Sequence, residues 1–255
     1  MKKIVMLLLV MGVASSISAQ EELQINYINE RIPKHLEMKM IIGSNFIISF
    51  YERINFPIEI SSIDLRIFTL FKDYKSHQNL SSNTKSDNGY FSSSKHEIIL
   101  FDNEKILKTF HHEFNHYLLR AYFKSPPKWI NEGLSEYFEN LSISESIMIK
   151  PNKKKIARIK SLLDDEIEDE IKQVLSISNT QWTEQNIKPE YRSSTISYAI
   201  VFFLLSLEDG EQILGEIIQK LMCGERSQDV LNSSYHGGYA KFIKDFIKFY
   251  KQQSY

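Results

Sequence analysis

The sequence predicts an α+β fold, with a small mixed N-terminal sheet followed by a mostly helical C-terminal lobe. Three observations predict it. Ile63-Asp-Leu-Arg-Ile-Phe-Thr69 alternates apolar and polar residues with the period of two expected of a half-buried strand. Tyr90-Phe91 and His96-Glu-Ile-Ile-Leu-Phe101, joined by Ser92-Ser-Ser-Lys95, read as two paired strands. Beyond Phe101 the apolar residues recur mainly at steps of three and four, the helical period.

Taken in order, residues 1–19 read as a secretory signal. Lys2 and Lys3 form a positive start, and Ile4 to Val13 is an apolar stretch too short to span a bilayer. The small residues ending at Ala19 mark the cleavage point, and retention as an N-terminal anchor is the alternative. No Cys stands directly after that point, which argues against a lipid anchor. The expected location is therefore secreted or periplasmic. Residues 20–255 then form one domain, with an N-terminal lobe over about 20–123 and a helical lobe over about 124–255.

Residues 21–60 carry weaker signals. Pro33 interrupts any helix there, and Asn45 to Tyr51 reads as a strand or the end of a helix. Phe71 to Leu80 fits a short helix, and Ser81 to Gly89 is a polar loop. Asp102 or Asn103 is placed to cap the helix that follows, with Glu104 in its first turn. Leu107, Phe110, Phe114, Leu118 and Ala121 make that helix's core-facing stripe. A second helix follows Ser125-Pro-Pro127, with Ser125 as its expected cap.

Ser142 to Lys160 is basic and Asp164 to Glu170 acidic, and both read as solvated helix faces. Asn179 to Arg192 is expected to be a long loop. Ile196 to Leu207 is apolar on all sides yet too short to cross a membrane, so it reads as a buried helix. Gln212 to Met222 and Tyr239 to Gln252 are further helices, with a turn at Ser234 to Gly238.

Composition sets limits on function. A formal net charge of −1 gives no strong field toward nucleic acid or anionic lipid, so neither is an expected partner. No stable membrane insertion is expected once the leader is removed. The single Cys223 excludes an intrachain disulfide framework and a structural thiolate zinc site. It reads as a small core residue rather than a nucleophile.

The chemistry concentrates in Thr109-Phe-His-His-Glu-Phe-Asn-His-Tyr117. On a helix, His112 and His116 are four residues apart and lie one above the other. Two imidazoles so placed can chelate one Zn²⁺. Glu113 lines the same cleft without ligating, the position of a general base for a metal-activated water. In Lys128-Trp-Ile-Asn-Glu-Gly-Leu-Ser-Glu-Tyr-Phe138, Glu132 follows after a gap that ends the first helix and turns the chain. It is placed to supply a third ligand and leave a fourth position open. Gly133 beside it permits close helix approach. Glu136, one turn on, is placed to hold a ligand imidazole by its other ring nitrogen.

The H-E-x-x-H of His112 to His116 followed by Trp129-Ile-Asn-Glu-Gly133 resembles the gluzincin metallopeptidases, which include thermolysin-like and aminopeptidase N-like enzymes. The resemblance is closest to the bacterial peptidase MA-like family. It is specific over about Ile106 to Glu139 and extends in element order from about Ile63 to the C-terminus. It implies a zincin-like fold, His112, His116 and Glu132 as zinc ligands, Glu113 as catalytic base, and a peptide or protein substrate. Glu136 matches an acidic position that contacts a ligand histidine in thermolysin-like enzymes. The strand before the metal helix, His96 to Phe101, would be a sheet edge to which substrates add; the same residues also fit a paired interior strand.

Two departures set aside an aminopeptidase: Ser194 stands at the family's transition-state tyrosine position, and no G-x-M-E-N motif is present. Tyr191, Tyr198 and His236 are the candidates for a donor to the developing oxyanion, with Tyr191 first because it lies near the family's tyrosine. Arg120 is placed to pair with Glu132 or Glu136, or to remain a surface residue. His111 points about 100° away from the metal face. The alternative to an active peptidase is a catalytically weak zincin acting as a peptide-binding or envelope-assembly module. A second alternative, an accidental motif in a structural protein, requires Glu132 to lie far from the two histidines.

Overall fold

A computed structural model describes residues 23–82, 85–163, 167–178, 180–182 and 192–253. The predicted leader and Tyr191 lie outside these residues. The architecture is α+β: a four-stranded mixed sheet, a two-stranded hairpin and a helical C-terminal region.

The sheet consists of β1 (Gln24–Tyr27), β2 (Ser62–Phe68), β3 (Gly89–Ser92) and β4 (Glu97–Phe101), in the order β1-β2-β4-β3. The first two pairings are parallel and β3 runs antiparallel to β4. β4 is therefore an interior strand, and β1 and β3 are the two edges. The continuous burial of Glu97 to Leu100 reflects cover on both faces. On one face Ile99 and Tyr90 pack on Tyr74 of α2 (Phe71–Ser81). On the other, Ile98 and Leu100 join the main core with Phe110, Phe114 and Leu118 of α3 (Ile106–Tyr122).

α1 (Lys34–Arg53) occupies the region that was hardest to read. Pro33 is its N-cap residue rather than a break, because a helix start needs no N–H there. Asn45 to Tyr51 is the end of this helix. α3 begins at Ile106 without a side-chain cap; Asn103 Oδ1 instead accepts from Lys105 N at 2.8 Å in the preceding turn. Ser125 is likewise not a cap, since α4 (Lys128–Phe138) starts after Pro127. Ala121 is exposed and drops out of the core stripe, while Phe110, Phe114 and Leu118 are fully buried.

β5 (Leu141–Ile143) and β6 (Ile147–Ile149) form a hairpin inside the run read as a helix face. α5 (Lys153–Ser161) and α6 (Ile167–Ser176) follow. α7 (Arg192–Leu204) is buried on nearly every side, as its composition implies. α4 packs directly on it: a Cβ at Gly133 would lie 2.6 Å from Ser197 O, so only glycine permits the approach. α8 (Gly210–Met222), a short α9 (Ser227–Ser234) and α10 (Gly238–Gln252) complete the lobe. Trp129 donates to Ser227 Oγ at 2.9 Å, tying α4 to α9. Cys223 is exposed rather than in the core. No helix among the described residues is long and apolar enough to cross a membrane.

Candidate metal centre

α3 and α4 are joined by a short connector and run antiparallel, so His116 faces Glu132 while His112 faces the later part of α4. His112 Nε2 lies 3.9 Å from Glu132 Oε2, and His116 Nε2 lies 3.7 Å from the same oxygen. The two imidazoles are 4.8 Å apart and nearly perpendicular. Tetrahedral zinc with ligand bonds near 2.05 Å separates its ligand atoms by about 3.4 Å, so the three donors need only small inward shifts. The group His112, His116 and Glu132 is therefore suited to hold a metal ion. This proximity also removes the condition on which the accidental-motif reading depended.

The second ring nitrogens show how the donors are aimed. His116 Nδ1 lies 3.1 Å from Asn131 Oδ1 and 3.0 Å from Ser135 Oγ. Asn131 Oδ1 only accepts, which places the proton on Nδ1 and leaves the Nε2 lone pair toward Glu132. Ser135 is itself held by Asn115 Nδ2 at 2.8 Å, and Asn115 Oδ1 accepts from Tyr51 OH at 2.6 Å. A buried chain thus runs from α1 through α3 to α4 and fixes one ligand. His112 Nδ1 is 3.4 Å from Glu139 Oε2.

Glu136, expected in that role, pairs with Lys155 at 2.9 Å. Its carboxylate stays in the same group as His112 and Glu139, within 4.8 Å. The helical register explains the exchange. Glu139 is seven residues after Glu132, within about 20° of it around the axis, and Glu136 is about 40° away. Glu132 also meets Lys128 at 3.4 Å, one turn earlier on α4.

Four carboxylates, Glu113, Glu132, Glu136 and Glu139, act on the two imidazoles. Burial pushes His112 down, but the Glu139 contact and the charges of Glu113, Glu136 and Glu132 together carry it up to about 10. For His116 burial outweighs the pull of Glu132, and its pKa falls. Burial opposes ionisation of Glu132 as well, yet His116, Lys128 and His112 hold its pKa below the usual range.

Glu113 is buried at 8% exposure, and its Oε2 accepts the backbone N–H of Phe91 at 2.8 Å. In the β3–β4 register Asn88 and Phe101 are a hydrogen-bonded pair, so Gly89 and Phe91 turn their backbone groups outward. The edge strand therefore faces the cleft and fixes Glu113. Of the two readings the sequence left open for His96 to Phe101, the sheet shows the paired interior strand, and the antiparallel β3 adds outside it.

The remaining candidates fall elsewhere. His111 is fully buried against α1, where a Cβ at Gly43 would lie 2.1 Å from its Nε2, and burial lowers its pKa to about 3. Tyr198 is buried, and its hydroxyl accepts from Asn152 N at 2.9 Å. His236 is 86% exposed and pairs with Asp209 at 3.1 Å, away from the centre. Ser194 Oγ accepts from Lys155 Nζ at 3.3 Å. Arg120 is exposed beside the β3–β4 turn, and Glu132 and Glu136 pair with Lys128 and Lys155. Reasoning from sequence missed Asn115, Asn131, Ser135 and Glu139. Their signal was their spacing on the two helices, the first inside the motif and the others at −1, +3 and +7 from Glu132.

A family profile described as "Protein of unknown function (DUF1570)" matches residues 106–222. The match starts at the first residue of α3 and ends at the last of α8, so it includes all three donors, Glu113 and the groups that hold the histidines. It excludes the sheet. No curated protein matches the chain significantly.

Proposed function

We propose that this chain is a zinc-dependent metallopeptidase of gluzincin type, acting outside the cytoplasm, with Glu113 as general base. The observation that carries the reading is the convergence of His112 Nε2, His116 Nε2 and Glu132 Oε2 within 4.8 Å beside a buried carboxylate. The donor set suits zinc: two imidazoles with their outer nitrogens held, and one carboxylate. When bound, zinc supplies Lewis-acid polarisation of a scissile carbonyl and acidifies a water. The leader-like residues 1–19 support the location.

The chain's own residues do the rest. Glu113 Oε2 is held by Phe91 N–H, while Oε1 has no hydrogen bond among the described residues. One oxygen thus fixes the carboxylate, and the other is available to take the attacking water's proton and pass it to the leaving amine. Of the outward backbone groups of β3, the Gly89 and Phe91 N–H groups already bond Ser86 Oγ and Glu113 Oε2, so what the strand offers an extended peptide is the two carbonyl acceptors. Burial of Glu113 keeps bulk water from competing for its contacts.

The test is Glu113→Gln, which keeps shape and removes the proton acceptor. Cleavage of a peptide library is expected to fall by roughly 10²–10⁴ with zinc content retained. Loss of zinc in this variant would show that ligand and base have been exchanged. Negligible cleavage of every peptide by the wild type, with zinc bound, would favour the peptide-binding module instead.

A further inference from the structure

We propose that the pocket at the C-terminal end of α3 is a subsite for a substrate carboxylate, so that the enzyme selects acidic peptides; the inference rests on the peptidase reading above. The pocket has a volume of about 420 Å³ and opens between the last turn of α3 and the β3–β4 turn. Phe91, Ser93, Ser94, His96, Arg120 and Lys124 line it.

Its position follows from helical geometry. Glu113, Tyr117 and Arg120 stand at i, i+4 and i+7 on α3 and share one face. Phe91 lines the pocket, bonds Glu113 through its N–H at 2.8 Å and packs its ring on Tyr117 at 5.6 Å. The pocket therefore continues the cleft past the catalytic base. Seven residues of helix place Arg120 about 10 Å along the axis from Glu113, the span of about three residues of an extended peptide.

Its charge is one-sided. Arg120 and Lys124 line it and no carboxylate does. This is not the overflow of a basic surface, since the whole chain carries a formal charge of −1. Two lysines beside the metal centre are engaged, Lys128 with Glu132 and Lys155 with Glu136. Arg120 and Lys124 have no ion pair among the described residues. A guanidinium presents paired donors that match a carboxylate, with Lys124 and the Ser93 and Ser94 hydroxyls alongside. The walls are fixed in place. Tyr122 OH donates to Glu59 O at 2.8 Å, and Lys95 N donates to Ser92 O at 3.3 Å across the turn. The ligand is a carboxylate about three residues from the scissile bond, either an Asp or Glu side chain or the free C-terminus of a short peptide.

The test uses quenched fluorescent decapeptides of neutral residues with one Glu moved along the sequence. Each has a matched Gln version, and each is made with a free and an amidated C-terminus. Wild type is expected to show kcat/KM about tenfold higher when a Glu, or a free C-terminus, lies about three residues from the cleaved bond. Which of the two confers the preference identifies the source of the carboxylate. The double variant Arg120→Gln with Lys124→Gln should bring the Glu/Gln ratio toward one. Equal cleavage of all versions by wild type, or a preference that survives the double substitution, overturns the proposal. If nothing is cleaved, the peptidase reading fails, and anisotropy titrations of the same peptides decide the pocket alone. Tighter binding of carboxylate peptides, lost in the double variant, supports the subsite; equal binding contradicts it.

Discussion

His112 and His236 each stand beside a carboxylate, and the closer pair is the less consequential one. His236 Nε2 is 3.1 Å from Asp209, while His112 Nε2 is 3.9 Å from Glu132. His236, however, is 86% exposed beside a half-exposed aspartate at the α8–α9–α10 end of the molecule. An exposed pair of this kind is hydrated, screened and nearly neutral for stability. His112 is mostly buried, has its second nitrogen held by Glu139, and shares Glu132 with a second oriented imidazole. Among the described residues, both groups of three or more metal-ligating side chains lie at α3–α4. A metal centre depends on several buried donors that converge with their orientations fixed, and one short contact does not make one.

Three substitutions probe that contrast, the largest effect first. Phe110 is fully buried, stacked on Phe114 at 5.8 Å, and supports the face of α3 opposite the ligands. Phe110→Ala should open a cavity and cost roughly 3–5 kcal/mol, read from chemical denaturation. An unchanged midpoint would show that the rigidity of α3 comes from elsewhere. Next, Ser135→Ala removes one of the groups that hold His116. Zinc affinity, measured by competition with a chelating dye, should weaken by roughly 10–100-fold. Wild-type affinity would mean that Asn131 alone orients the ring. The smallest effect is expected from His236→Ala, at most about 1 kcal/mol in stability with zinc content unchanged. A drop in bound zinc would erase the distinction between the two histidines.

The sequence made the strongest periodic elements legible. α3 could be read because apolar residues at three- and four-residue steps alternate with the chelating pair. α7 could be read because a run apolar on all sides and too short for a membrane must be buried. β2 carried local alternation, and β3 and β4 showed as two apolar stretches joined by a polar turn. What escaped depends on partners distant in the chain. Whether β4 or β3 forms the edge is set by where β2 docks, and β4's apolar run only says that both its faces are covered. α9 and the three-residue strands β5 and β6 are too short for periodicity to mark. The end of α1 was ambiguous because Asn45 to Tyr51 is compatible with either period.

At the centre, the donors themselves were legible from spacing. The residues behind them depend on the register of two antiparallel helices. One turn of difference decides between Glu136 and Glu139, and the approach of Lys155 from α5 settles it.

The most direct measurement of the central claim is zinc stoichiometry. Purified wild type and Glu132→Gln are each incubated with zinc, dialysed and analysed by native mass spectrometry. The proposed site of His112, His116 and Glu132 predicts one zinc per wild-type chain and a markedly reduced fraction in Glu132→Gln. A wild type that remains metal-free, or a variant that holds zinc as tightly as wild type, would contradict the assignment of this site.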